Sequence, residues 1–300
     1  MHRHFSDLWT SLSASLFANI DDEFIRSFRE PGRANNRLAA WDPLDPTMRY
    51  YKLMLYRAAE RQPEYFFDAY RKLGNVDIGN PVSVQIRSCS INVDYLFSIE
   101  EVLFLEETIN LAGLHSVVEV GAGFGRTCHA ILRLAPNVGR YTIVDLPNVL
   151  ELSRRVLSRV IPDQLDKIHF VDATSNISWR GISADLALNI DSFQEMRPTI
   201  IDEYMSGLVS NCRYFYTKNP IAKYRPESIG IKRAEPERLF DVFELGYCRD
   251  VIDIFDDHSI DEARAKYLEA YRPSSEWRLL AHRPLDLFHY LHHALYERTR

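Results

Sequence analysis

The 300-residue chain lacks any paired cysteine pattern. Its four cysteines, Cys89, Cys128, Cys212 and Cys248, stand alone, with no CxxC pair and no histidine–cysteine cluster. A disulfide framework and a structural zinc site are thereby excluded, and reduced thiols in a cytosolic protein are the simple account. No apolar run approaches the roughly 18 residues of a membrane-spanning helix, so no membrane partner is expected. The start, Met1-His-Arg-His-Phe5, is polar and lacks the apolar core of an export signal, so the expected location is cytoplasmic. An excess of positive charge is missing too: the net charge of −6 argues against a dedicated nucleic-acid binder. The basic positions Lys218, Lys223, Arg225 and Lys232 read as a solvated face. Glycine is sparse, with twelve residues, yet three of them fall at 121, 123 and 125. What is present in quantity is apolar material, 46% of the chain, ample for one sheet domain and an added helical region.

Around those glycines the order of elements is informative. Val117, Val118 and Val120, with Glu119 among them, read as a buried parallel strand. The strand ends in Gly121-Ala122-Gly123-Phe124-Gly125, and a helical pattern runs from Arg126 to Leu134. Glycine lets the backbone turn sharply and approach a ligand, having no Cβ to clash. The loop would deliver that ligand to a helix N-terminus. Strand, glycine loop and helix in this order mark a nucleotide-type cofactor site in an α/β sheet. The dinucleotide fingerprint needs a glycine at the sixth loop position, where this chain has Arg126. A plain βα turn and a degenerate dinucleotide site stay open at this point.

Later segments extend the pattern. Tyr141–Asp145 reads as a second strand ending in an acid, and such a carboxylate can accept both hydroxyls of a ribose. Leu146-Pro147 breaks it before a helix from Asn148 to Val160. Ile168–Asp172 is a third strand, followed by the small Ala173. Ala184–Ile190 is a fourth, carrying Asn189 and leading into Asp191-Ser-Phe-Gln-Glu-Met196. Arg213–Thr217 is a fifth, leading into Lys218-Asn219-Pro220. Val251–Phe255 is expected as a sixth strand, Asp261–Tyr271 as a helix and Trp277–Ala281 as a seventh strand. Polar groups at successive strand ends suit ligand binding at the carboxyl edge of an open sheet.

Residues 1–110 read differently, as a helical cap that forms the substrate region. Helices are expected over Met48–Glu60 and Pro63–Leu73, then a turn-rich connector over Gly74–Pro81 and an extended stretch over Val82–Asn92. A further helix is expected over Ser98–Ala112, with Ser98 and Glu101 in capping-box spacing. Tyr50, Tyr51, Tyr56, Tyr65, Phe66, Phe67 and Tyr70 could line an acceptor pocket or pack as core, and core is the expectation, since aromatic stripes on helices mostly fill interiors. The sheet domain is placed at 111–283 and a C-terminal helix at 284–300. That helix would carry Leu287, Leu291 and Leu295 on one side, with His289, His292 and His293 on a packing or solvated face.

Three segments carry a family resemblance. The acid-x-G-x-G-x-G run from Glu119 to Gly125 resembles motif I of class I S-adenosylmethionine-dependent methyltransferases. Together with Tyr141–Pro147 and Ser192-Phe-Gln-Glu-Met196, it is similar to the nanchangmycin-type sugar O-methyltransferases over roughly residues 80–220. The resemblance implies an α/β fold, a Rossmann-like, seven-stranded and mostly parallel sheet with the N-terminal helical cap, and a last strand inserted antiparallel between the previous two. It implies S-adenosyl-L-methionine as cofactor, at Glu119, Gly121, Ala122, Gly123, Gly125, Asp145, Leu146, Asp172, Ala173 and Asn189. It also implies methyl transfer to a hydroxyl of a small-molecule acceptor, such as a sugar or a secondary-metabolite scaffold.

Such a transfer needs the acceptor oxygen held in line and its proton removed. The candidate bases are Asp191 and Glu195 after the fourth strand and His258 after the sixth, with Asp191 first because it is nearest the strand end. Asp191 or Ser192 could instead cap the next helix. Arg87, Asn92, Tyr95, Gln194, Lys218 and Asn219 are the candidate acceptor contacts. No complete metal-ligand set is visible, so none is predicted. An N-methyltransferase, or a non-catalytic or dinucleotide-binding protein, stays open as an alternative, and a homodimer is compatible with the chain.

Overall fold

Short apolar segments and amphipathic helices alternate along most of the chain, and they set the architecture. The structure, a computed structural model, describes residues 20–29, 48–175, 179–224 and 242–299. In chain order the elements are α1 (Asp22–Ser27), α2 (Met48–Glu60), α3 (Glu64–Leu73), β1 (Ser83–Ile86), β2 (Cys89–Asn92), α4 (Val93–Thr108), β3 (Ser116–Val120) and α5 (Arg126–Leu134). They continue with β4 (Arg140–Asp145), α6 (Pro147–Val160), β5 (Ile168–Asp172), β6 (Leu186–Ile190), α7 (Pro198–Gly207) and β7 (Tyr214–Pro220). The last are β8 (Lys223–Tyr224), β9 (Val251–Ile252), α8 (Asp257–Ala270), β10 (Trp277–Pro284) and β11 (Leu291–Arg298).

The main sheet has seven strands in the order β10-β11-β7-β6-β3-β4-β5. β3 pairs with β6, β6 with β7 and β4 with β5, all parallel. β11 is antiparallel to both neighbours, β7 and β10. The expected α/β architecture with a mostly parallel seven-stranded sheet is therefore what forms. Chain order reverses about β3, so β3 and β6 are the neighbours that define a topological switch point.

The described residues fall into two compact units. One contains residues 20–29, 48–116 and 122–173; the other contains residues 117–121, 174–175, 179–224 and 242–299. In the first, α4 is buried along most of its length, and the acids among its buried residues, Asp94, Glu100 and Glu101, meet polar partners from other elements. α6 buries Val149, Leu150, Leu152, Val156, Leu157 and Val160, and Pro147 opens it where a missing N–H costs nothing. In the second, every residue of β6 and β7 is buried, as in a central parallel strand covered on both faces.

Six sequence expectations are corrected. The C-terminal segment is no helix: Leu291–Arg298 is the strand inserted beside β7. Trp277–Ala281, expected as the inserted strand, lies in β10 (Trp277–Pro284) at the sheet edge. Of Val251–Phe255, only Val251–Ile252 is a strand, and it pairs with Lys223–Tyr224 outside the main sheet. α4 starts at Val93 with Asn92 as its N-cap, so Ser98 and Glu101 lie inside the helix. The basic run is not solvated at Lys218 or Lys223, which are 0% and 8% exposed, and Arg225 and Lys232 lie outside the described residues. Among the cap aromatics, Tyr51, Phe66, Phe67 and Tyr70 are core, whereas Tyr50, Tyr56 and Tyr65 are exposed.

Candidate functional site

The glycine loop follows from its backbone angles. Gly125 has φ +88° and stands as the N-cap of α5; a Cβ there would lie 2.9 Å from Leu157 Cδ1 on α6. Only glycine meets both demands without strain. The next residue, Arg126, sends its guanidinium into the cap. It makes a bidentate pair with Glu101 at 2.8 and 2.9 Å and donates to Ser98 Oγ at 2.9 Å. Ser98 and Glu101, whose spacing resembled a capping box, thus anchor the start of α5.

Asp145 closes β4 and turns its carboxylate to that loop. Oδ2 accepts the Gly123 N–H at 3.1 Å and Oδ1 accepts the Leu146 N–H at 2.8 Å. Burial pushes its pKa up to about 7, against the opposing pull of the Leu146, Gly123 and Ala122 amides. At neutral pH this carboxyl is poised between its two forms. Asp172 lies beside Asp145 in register at the end of β5, and the Ala173 N–H donates to the Asp145 carbonyl at 2.9 Å. From α6, the buried Ser153 Oγ reaches the Gly123 carbonyl at 2.7 Å.

Phe124 of the loop is held by its ring. Phe28 meets it edge-on at 5.6 Å, and the Arg29 guanidinium sits 5.0 Å from its centroid. Arg29 is fixed in turn by Asp94 at 2.9 Å and by Asn92 Oδ1 at 2.7 Å. Two of the sequence candidates for acceptor binding, Asn92 and Tyr95, are therefore spent inside the cap. Asn92 caps α4 and takes Arg29; Tyr95 is fully buried with its hydroxyl 2.7 Å from His129 Nδ1. His129 Nε2 lies 3.1 Å from the Leu73 carbonyl, an acceptor only, which assigns the proton to Nε2. Burial holds His129 neutral, down at about 4. Arg87 lies on the β1–β2 turn, ion-paired with Glu64 at 2.8 Å and stacked over Phe67.

The other unit builds a denser polar cluster at the ends of β3, β6 and β7. Glu119 is 2% exposed in β3. Gly121 has φ +76°, and a Cβ there would overlap the side chain of Ser192. Ser192 Oγ donates to the Val120 carbonyl at 3.0 Å, as does Asn189 Nδ2 at the same distance. Asn189 Oδ1 accepts from the Phe193 N–H and from Asn219 Nδ2, at 3.2 and 2.8 Å. Asn219 also accepts the Gln194 N–H at 3.3 Å. Sequence reasoning had assigned Asn189, Gln194 and Asn219 singly; the fold makes them one network.

Asp191 occupies the left-handed region with φ +58°, a conformation that aspartate tolerates better than most residues. Lys218 holds it twice. The Asp191 N–H donates to the Lys218 carbonyl at 2.8 Å, and Lys218 Nζ lies 3.0 Å from Asp191 Oδ2. Gln194 Nε2 donates to the Asp191 carbonyl at 3.1 Å. The Lys218 side chain is 0% exposed and that of Asp191 is 28% exposed. Asp191 caps no helix; a single 3-10 turn, Phe193–Glu195, follows it. Lys223 donates to the Gln194 carbonyl at 3.0 Å; burial lowers its pKa, opposed by the charge of Glu195. His258 is not drawn in: it is 83% exposed at the start of α8, 3.4 Å from Glu262. No group of three or more potential metal ligands occurs among the described residues. His292 and His293 are buried on β11, where His292 Nε2 lies 3.0 Å from His282 Nδ1.

Ser153 and Arg29 were not foreseen from sequence. For Ser153 a signal existed, a lone hydroxyl on the apolar face of α6. For Arg29 there was none, since it acts through contacts distant in the chain, and Ser192, read only as a possible helix cap, instead bonds the Val120 carbonyl.

No protein-family model matches this sequence, and no curated protein sequence matches it significantly. Among solved structures, the chain is similar to the pyocyanin biosynthetic protein PhzM, at 13% identity and a TM-score of 0.41, over 65% of this chain and 53% of that one. It is similar to the mitomycin 7-O-methyltransferase MmcR at 15% identity and 0.45, over 82% of this chain and 68% of that one. It is similar to the glycopeptide N-methyltransferase MtfA, solved with S-adenosyl-L-methionine, at 13% identity and 0.43, over 68% and 87%. The chain thus spans about half the length of PhzM. At these TM-scores the likenesses leave the functional argument to the geometry of the chain itself.

Proposed function

We propose that this chain is an S-adenosylmethionine-dependent methyltransferase acting on a hydroxyl of a small molecule. The observation that carries the proposal is the Asp145 carboxylate, pushed up to about 7 at the end of β4 with backbone amides of the glycine loop against it. Two ribose hydroxyls donating to this carboxylate would favour its ionised form and relieve its burial. Gly121, Ala122, Gly123 and Gly125 offer backbone rather than side chains to the nucleoside, while Glu119, Leu146, Asp172, Ala173 and Asn189 complete the proposed binding set. When bound, the cofactor supplies a methyl group on a sulfonium and departs as a neutral thioether.

The chain then has two tasks, holding the acceptor oxygen in line and removing its proton. Asp191 is the proposed proton acceptor, because its backbone and its carboxylate are fixed by Lys218 and Gln194. Gln194 orients the acceptor, while Lys218 and Asn219, both fully buried, stand behind it and hold Asp191 and Gln194 in place. Glu195 lies further along the chain from the end of β6, and His258 stands exposed beside Glu262, so both rank behind Asp191. The acceptor scaffold, a sugar or another secondary metabolite, rests on the Ser192–Met196 resemblance.

Calorimetric titration with S-adenosylhomocysteine and, separately, with NAD tests the proposal. Binding of the first and not the second is expected; binding of NAD alone defeats it. Asp191→Asn is expected to keep its S-adenosylhomocysteine affinity and to lose turnover by about 10²–10⁴-fold. Unchanged turnover would remove Asp191 from the role.

A further inference from the structure

Three of the loop's residues are glycines with no side chains to hold their own shape, and ordering glycine costs more backbone entropy than ordering any other residue. Something outside the loop must set it. The Gly123 peptide is gripped at both ends by the second strand–helix unit: Asp145 Oδ2 takes its N–H at 3.1 Å, and Ser153 Oγ reaches its carbonyl at 2.7 Å. Ser153 is 0% exposed, so its hydroxyl has no water to turn to. That hydroxyl carries one proton and has two carbonyls in reach, Gly123 and, at 2.8 Å, Val149 four residues back. A helical serine ordinarily returns its proton to the carbonyl four back, a bond that does nothing for a distant loop. Here the loop carbonyl is as close as the local one.

We propose that Ser153 is a positioning residue of the cofactor site, one half of a bracket that holds the Gly123 peptide in its binding shape before the nucleoside arrives. The inference rests on the cofactor reading above and adds to it. In that reading, Asp145 turns its carboxylate to the ribose, so Ser153 remains as the side-chain hold on Gly123 in the complex. The ordering of the loop is thereby met on folding instead of on binding, and affinity depends on the bracket.

Titration of the full chain with S-adenosylhomocysteine, combined with amide hydrogen exchange on the ligand-free protein, tests this. Ser153→Ala should weaken binding about 3- to 10-fold, the span of one net hydrogen bond, and speed exchange at Gly123–Arg126. Ser153→Cys, of similar size but with a weaker donor, should fall between Ser153→Ala and the parent chain. Ser158→Ala is the control. It removes a hydroxyl from the same helix, one bonded to the Arg155 carbonyl at 2.9 Å, and should change neither readout. Equal affinity and equal loop exchange in Ser153→Ala and the parent chain would overturn the bracket. A parent chain that binds no S-adenosylhomocysteine overturns the cofactor reading instead, and loop exchange in the ligand-free variants then decides the bracket by itself.

Discussion

The glycine loop and the β6–β7 strand ends solve opposite problems with opposite materials. The loop presents backbone, and the side chains that touch it stand outside it: Asp145, Ser153, Phe28 and Arg29. The strand ends present side chains, and their backbone serves to fix them, as the Asp191 N–H does on the Lys218 carbonyl. A ligand shared by many enzymes can be read by bare peptide, whereas a particular acceptor needs particular functional groups. The two regions differ in charge as well. The loop has one carboxyl balanced by amides; the strand ends hold an ion pair with one fully enclosed partner.

That contrast can be broken most sharply at the ion pair. Asp191→Asn removes a counter-charge of an ammonium with no solvent exposure and should lower stability in chemical denaturation, by less than the about 3–5 kcal/mol of a wholly buried pair because Asp191 is 28% exposed. Lys218→Met leaves a carboxylate that is 28% exposed and can draw on water, so its cost should be smaller. Equal costs would show that the two partners are equally enclosed. At the loop the expected effects are backbone effects. Gly125→Ala forces a Cβ into φ +88° and to within 2.9 Å of Leu157, for about 2 kcal/mol lost in thermal unfolding. Leu157→Ala in the same background should relieve the contact and leave the backbone strain.

The remaining effect is a pH dependence. Asp145 is raised from 3.8 to about 7, so the folded state holds a proton that the unfolded state has already released. Its contribution to stability is complete below pH 3.8 and is lost as pH rises through about 7. Ribose hydroxyls need the ionised form, so S-adenosylhomocysteine affinity should rise about tenfold from pH 6 to pH 8. Asp145→Asn should flatten that profile in a calorimetric pH series. A flat profile in the parent chain would show that the carboxyl is already ionised across this range.

Much of the cofactor side was legible because its signals are local. A strand that runs into glycines at φ +76° and +88° announces itself in a few consecutive letters, and so does an acid at the end of the next strand. The proposed acceptor side was legible in its residue types and not in their arrangement. Asp191, Gln194, Lys218 and Asn219 were visible as polar groups after strands; that Lys218 is buried on Asp191 depends on two strands being neighbours. In the cap, Asn92 and Tyr95 looked open to a ligand because nothing in their own segment shows that Arg29 and His129 come to meet them.

What the sequence alone determined is the order strand, glycine loop, helix, and the acid-ended strands around it, because turn geometry and burial on one strand are decided by adjacent residues. What only the tertiary structure decided is clearest at Leu291–Tyr296. All six residues are buried, since β11 lies between β10 and β7 with both faces covered. Burial on both faces erases the alternation by which a strand is recognised, and Leu291 and Leu295, four residues apart, then imitate the stripe of a helix. The neighbours on either side, distant in the chain, made this segment a strand.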